Sequence, residues 1–328
     1  MRDPVSVLIY NLIYSSLTSN GHDELFGERI KEDSDVFENS FAGDSFPEIW
    51  FELPLSGKPW YDLHVLTSKN ALESVTKLPE GIFHPGLFEW FAGSTGTRQL
   101  AFSHDLSKGV YDDPAVQLLV GTRDPSVGCD FLAAAGNKDA ASAYKTFVAG
   151  IPGKWFACYL GTFPGREDVD LRVECIPDAD VQTAYATDGD LLKKDLARTG
   201  FDIGEDMLRL IMFMAALPAQ IEFQFNVSGD GSAAPVLGVS LRYMSPWGKY
   251  SRLSFAGDNE NVARLMSELE SAHLCDDRWK RLSDMAFAKR LSVGELSLRL
   301  RGYPAFIKVR MRPDGPIDAK TYIVANMI

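Results

Sequence analysis

Ile221-Glu-Phe-Gln-Phe-Asn-Val227, Ser228-Gly-Asp-Gly-Ser232 and Leu237-Gly-Val-Ser-Leu-Arg242 decide how this chain folds. A strand has a side-chain period of two, so Ile221, Phe223, Phe225 and Val227 share one face while Glu222, Gln224 and Asn226 share the other. Leu237, Val239 and Leu241 alternate in the same way against Ser240 and Arg242. The Gly-, Asp- and Ser-rich interval between the runs is hairpin chemistry. The signal recurs at 46–66, 98–123, 154–176 and 306–327, five times in all with 220–244, and helix-forming stretches separate the copies. Ten antiparallel strands with helices between the pairs predict an α+β fold, a barrel inside a helical ring. One strand face then meets helices and the other an enclosed lumen. An open antiparallel sheet with one face in solvent gives the same alternation. Ten strands lie near the size at which twisted sheets curl or split, which favours closure.

Working outward, Ile49-Trp-Phe-Glu-Leu53 and Trp60-Tyr-Asp-Leu-His-Val-Leu66 flank the turn Ser56-Gly-Lys-Pro59. Gln99-Leu-Ala-Phe-Ser103 precedes Ala115-Val-Gln-Leu-Leu-Val120. Trp155-Phe-Ala-Cys-Tyr-Leu160 pairs with Asp170-Leu-Arg-Val-Glu-Cys175. Ile307-Lys-Val-Arg-Met-Arg312 and Asp318-Ala-Lys-Thr-Tyr-Ile-Val324 flank Pro313-Asp-Gly315. Between hairpins, helices are predicted over 71–76, 85–92, 130–149, 178–198, 204–217, 259–273 and 276–291. The apolar run 5–14 reads as an N-terminal helix docked on the core, lacking the basic start and small-residue cleavage site of a signal peptide. An acidic connection follows to residue 45. No Pro- or Ser-rich linker interrupts the pattern, which predicts one domain over 1–328.

The 328 residues carry a net charge of −12, which excludes a general nucleic-acid binder and a protein adhering to anionic membrane, since both need a positive field. Cys129, Cys158, Cys175 and Cys275 form no C-x-x-C pair, and the five histidines are isolated, so a reduced, cytoplasmic protein with no zinc cluster is expected. Asp112-Asp113 and Asp276-Asp277 read as turn or helix starts, with Asp276 an N-cap. Gly93-Ser-Thr-Gly-Thr97 has no lysine in phosphate-loop spacing, and no G-x-S-x-G elbow is present. Asn226-Val-Ser228 fits a glycosylation sequon, without meaning in a cytoplasmic strand.

If the apolar positions face helices, the remaining ones line the lumen. They are Trp50, Glu52, Asp62 and His64; Gln99, Ser103 and Gln117; Tyr159, Arg172 and Glu174; Glu222, Gln224, Asn226, Ser240 and Arg242; and Lys308, Arg310, Lys320 and Tyr322. Such a buried polar set must pair internally or meet a ligand. Arg172, Arg242, Lys308, Arg310 and Lys320 converging there would hold a diphosphate, the Arg forks matching phosphate oxygens. Glu52 and Glu222 neutralising those cations is the alternative. Glu52, near Trp50, is also placed to accept a proton from an aromatic acceptor.

Five helix–hairpin repeats and these strand residues resemble the ABBA, or PT-barrel, aromatic prenyltransferases. Lys320-Thr-Tyr322 looks like the Lys-x-Tyr strand motif of that family's indole group, and Lys308 and Arg310 look like its basic strand residues. The resemblance implies transfer of a prenyl group from an allylic diphosphate to an electron-rich aromatic small molecule or a peptide side chain. It implies the five cations as the diphosphate grip, Tyr159 and Tyr322 as shields of the allyl cation, and Trp50, Glu222 and Gln224 beside the acceptor. Magnesium would be dispensable because protein cations balance the diphosphate. Gly161-Thr-Phe-Pro-Gly-Arg166 and the last hairpin also resemble bacterial proteins that accompany peptide natural-product genes. That favours a peptide or an aromatic metabolite as acceptor. A non-catalytic peptide-binding protein on the same barrel, or another chemistry, remains open at this point.

Overall fold

Each of the five hairpins is an antiparallel strand pair in the computed structural model, which describes residues 12–17, 23–27, 48–69, 86–106, 114–163, 169, 171–242, 260–293 and 296–327. The pairs are β1 (Glu48–Pro54) with β2 (Asp62–Ser68), β3 (Thr97–His104) with β4 (Ala115–Val120), and β5 (Trp155–Thr162) with β6 (Leu171–Pro177). β7 (Gln220–Val227) pairs with β8 (Ala233–Arg242); after β9 (Phe287–Val293), β10 (Leu296–Arg312) pairs with β11 (Gly315–Met327). Neighbouring hairpins join antiparallel through β2–β3, β4–β5, β6–β7 and β8–β10. β11 then returns to β1, from Glu48 opposite Asn326 to Pro54 opposite Lys320, and the ten-stranded ring closes.

Closure needs curvature, supplied by irregularities in the ladder at Thr97/Gln99, Ala157/Tyr159, Phe225/Val227, Pro304/Phe306 and Arg310/Met311. The apolar parity of each strand faces outward. Phe223 and Phe225 are fully buried there, and Trp155 stacks on Phe223 at 4.7 Å. Trp155 also donates its indole N–H to Tyr185 Oη (2.8 Å), whose hydroxyl donates to Asp195 (2.6 Å), so a polar thread pins helix to barrel inside this apolar layer. At roughly 2–3 kcal/mol for each buried aromatic, this outer shell dominates stability.

The described helices after β2 are α1 (Gly86–Gly93), α2 (Pro125–Ala134), α3 (Ala140–Gly150), α4 (Ala179–Tyr185), α5 (Gly189–Arg198), α6 (Glu205–Ala215) and α7 (Glu260–Ser271). The helix predicted over 130–149 is two helices. Gly136, at φ +83°, ends the first in a left-handed turn, and Asn137 N donates to Leu132 O at 2.8 Å. The helix predicted over 178–198 is also two, because the Asp188 carboxylate accepts from Leu191 N and starts a new one. The helix predicted over 276–291 is instead a 3₁₀ segment, Asp277–Met285, followed by β9. Asp276 caps it, its carboxylate accepting from Arg278 N. The last hairpin begins at Leu296 rather than 306, and its outer half carries β9 as an eleventh strand outside the ring. Residues 12–17 are helical, with Ile13 and Leu17 buried in the core. The acidic connection over 28–45, the helix expected at 71–76, Asp112-Asp113 and the Pro164–Arg166 part of the third turn lie outside the described residues.

Candidate active site

Parity on all ten strands of the ring delivers a lumen cavity. Its walls include Trp50, Glu52, His64, Gln117, Tyr159, Arg172, Glu174, Gln224, Arg242, Phe306, Lys308 and Tyr322. Of the residues expected there, Trp50, Glu52, Tyr159, Arg172, Gln224, Arg242, Lys308 and Tyr322 meet as predicted. Glu222 lies beneath the wall behind Arg242, and Lys320 stands behind Glu52 with its ammonium 4.8 Å from the Trp60 ring. Arg310 is held further toward the turn end of β10, in a two-point pair with Asp318 (Nε–Oδ1 2.8 Å), and does not line the cavity.

Glu52 is the hub of one half. Tyr322 Oη donates to its Oε2 at 2.6 Å, Lys320 donates to its Oε1, and His64 Nε2 lies 3.1 Å from Oε2. A carboxylate only accepts, so His64 carries its proton on Nε2. Nδ1 then accepts from Ser103 Oγ (2.6 Å), which in turn accepts from Gln117 Nε2 (2.6 Å). Burial alone would raise the Glu52 pKa. The Lys320 charge and the His64 hydrogen bond overcome it and hold the carboxyl well below its usual range.

Arg242 organises the other half. Its Nε is 2.9 Å from Glu222 Oε2, but the N–H points out of line, so this is a charge pair without a hydrogen bond. Its other arm is 4.0 Å from Glu174, which accepts from Gln224 Nε2. Glu222 is 1% exposed, and burial pushes its carboxyl up to about 7 against the pull of Arg242. The Arg242 guanidinium also lies 5.3 Å from the Phe306 ring and 5.7 Å from Trp50.

Lys308 stands between the halves. It is 4% exposed, its Nζ is 3.5 Å from Tyr322 Oη, and no described carboxylate lies within ion-pair distance of it. Burial first, then the nearby Arg172 charge, push its ammonium down to about 7. Arg172 donates to Asn226 Oδ1 at 3.0 Å and rests 4.5 Å from the Phe163 ring. Aromatic faces complete the wall: Phe306 stacks on Tyr322 at 4.0 Å and Trp50 meets Phe306 edge-on at 5.3 Å. Tyr159 is 5% exposed, its hydroxyl acidity suppressed by burial.

Phe306 was missing from the expected site because it is apolar; its shared parity with Lys308 and Arg310 is the signal that places it inside. Cys158 joins Tyr159 on the lumen side because the Ala157/Tyr159 irregularity turns two successive residues inward.

No family model matches the chain, and no curated protein does. Among solved structures it is similar to the NotF prenyltransferase, at 9% identity and a TM-score of 0.44 over 95% of this chain and 91% of that one. It is also similar to the prenyltransferase PriB in a ternary complex with L-tryptophan and dimethylallyl thiolodiphosphate, at 15% identity and a TM-score of 0.47 over 98% and 96%.

Proposed function

We propose that this chain transfers a prenyl group from an allylic diphosphate to an electron-rich aromatic acceptor inside the barrel. The observation that carries the proposal is Lys308, a buried cation with no described carboxylate in ion-pair reach, set in a lumen walled by Trp50, Phe306, Tyr159 and Tyr322. Burying a charge without its counter-ion costs several kcal/mol, and a diphosphate supplies that counter-ion.

In this mechanism Lys308 and Arg172 hold the diphosphate, with Arg242, Lys320 and Arg310 adding positive field. The C1–O bond of the allyl diphosphate breaks, and the diphosphate leaves with the electron pair. Tyr159, Tyr322 and Phe306 offer π faces to the allyl cation. A ring carbon of the acceptor, between Trp50 and Gln224, forms the new bond to C1, and the proton on that carbon passes to Glu52. An arenium proton is strongly acidic, so a carboxylate held at low pKa suffices. Products are prenylated acceptor, diphosphate and one proton. Magnesium is dispensable in this reading because Lys308 and Arg172 meet the leaving group directly, Lys320, Arg242 and Arg310 being already paired to Glu52, Glu222 and Asp318 and adding only a residual field.

A second reading, a non-catalytic peptide-binding protein, draws on the lumen pairs Lys320–Glu52 and Arg242–Glu222, which already neutralise two of the cations. Incubation with dimethylallyl, geranyl and farnesyl diphosphates plus tryptophan, tyrosine and peptide acceptors, read by mass spectrometry, separates the two. A mass gain of one prenyl unit supports transfer. Failure to bind any of the three diphosphates overturns it.

A further inference from the structure

β9 pairs with Leu296–Gly302 of β10 on one side and has no second neighbour among the described strands. This two-stranded extension continues the lumen face outward. Arg301 donates to Asn326 (2.8 Å), Asn326 Nδ2 to Glu48 (3.3 Å), and Glu48 accepts the Trp50 indole N–H, so a polar chain runs from the extension into the cavity wall. The same face carries Arg299, Ser297, Arg290 and Ser292, all exposed. Arg290 and Arg299 stand directly opposite each other in register, and Arg290 Nε donates to Ser297 Oγ at 3.1 Å. Neither arginine makes an ion pair with a described residue.

A lone cation on an edge strand is a common guard against aggregation. Two arginines directly across from each other are different, since like charges in that position cost stability. They are retained on a chain whose net charge is −12. The net charge of −12 disfavours a nucleic acid, whose phosphates need a broad positive field. A second copy pairing through its own β9, the symmetric arrangement at a strand edge, would bring Arg290 against more arginine.

We propose that β9 and the outer half of β10 form a docking lip for an acidic peptide in extended conformation. The peptide adds as a strand at the outer edge of β9 and sets its carboxylates against Arg290 and Arg299, which leads its following residues toward Trp50 at the barrel mouth. The inference deepens the transfer reading and rests on it for the fate of the docked segment: the acceptor is an aromatic side chain in an acidic peptide rather than a free metabolite.

The test measures fluorescence anisotropy of a labelled peptide alternating Glu and Thr and ending in Trp, a matched peptide with Lys for Glu, and a single-stranded oligonucleotide. The Glu peptide should bind the full chain best, and more weakly as salt rises. R290E/R299E should weaken it by about tenfold or more and improve the Lys peptide, because each reversed charge turns an attraction into a repulsion. R290Q/R299Q guards against misfolding: it should weaken the Glu peptide while raising the melting temperature, since the opposed like charges are gone. Equal binding of Glu and Lys peptides, preference for the oligonucleotide, or unchanged affinity in both variants overturns the lip. Geranyl diphosphate is titrated into the wild-type chain in parallel. If it does not bind while the Glu peptide does, the transfer reading fails and the lip stands.

Discussion

Replacing Lys308 by Met should make the protein more stable and the lumen less able to hold a diphosphate, and the two effects have different pH signatures. The ammonium falls from its ordinary 10.5 to about 7 on folding, chiefly through burial. A fall of that size corresponds to about 5 kcal/mol of penalty on the charged form. Its sign follows from proton counting. Between pH 7 and 10.5 the unfolded chain binds the proton and the folded chain does not, so wild-type stability rises with pH across this window. Below pH 7 both states are protonated and the penalty is felt in full. Lys308→Met fills the same volume without the charge, so its advantage should be greatest below pH 7, several kcal/mol at most, and fade as pH approaches 10.5. Urea denaturation at a series of pH values reads this directly. Calorimetric titration with geranyl diphosphate should show affinity weaker by about 1–3 kcal/mol, as for the loss of a charged hydrogen bond. A variant less stable than wild type at pH 6, with unchanged diphosphate affinity, would refute the assignment of Lys308 as a cation awaiting an anion.

Glu52→Gln should abolish most prenyl transfer seen by mass spectrometry and destabilise by about 3–5 kcal/mol, because Lys320 loses its partner in a buried site; adding Lys320→Met should restore the urea midpoint but not transfer. Glu222 is raised from 4.5 to about 7, so its protonation stabilises the fold fully below pH 4.5 and that contribution disappears as pH climbs through 7; Glu222→Gln should flatten this decline in pH-dependent melting. Tyr322→Phe keeps the stack on Phe306 and should leave the ratio of transfer to diphosphate hydrolysis unchanged, while Tyr322→Ala, which removes the π face, should shift it toward hydrolysis, both followed by product chromatography. Adding EDTA to the transfer assay should change the rate by no more than about twofold if protein cations alone balance the diphosphate.

The barrel was legible because alternation on strands such as Ile221–Val227 is uninterrupted, and because a strand has only two faces to distribute. The same parity named most of the lumen wall, down to Lys308 and Tyr322. β9 was not legible: Ala288, Lys289 and Arg290 are good helix formers, and pairing with β10 overrides that preference. The Gly136 and Asp188 breaks are single-residue punctuation inside runs that otherwise read as continuous helix. Nor could the sequence say which carboxylate meets which cation. Glu52 and Lys320 are far apart in the chain, and only the register of β1 on β11 brings them together.

That register has a temporal consequence. A ribosome releases β1 well before β11, so the ring cannot shut until every strand between them, and β11 itself, has emerged. Until then β1 and β10 both present open edges, a folding route dominated by distant contacts and therefore slow. Glu52 finds Lys320 and Tyr322 only across this final seam. Half-made chains hold no assembled lumen, and loss of the thirteen residues of β11, Gly315–Met327, would break the circle rather than trim it.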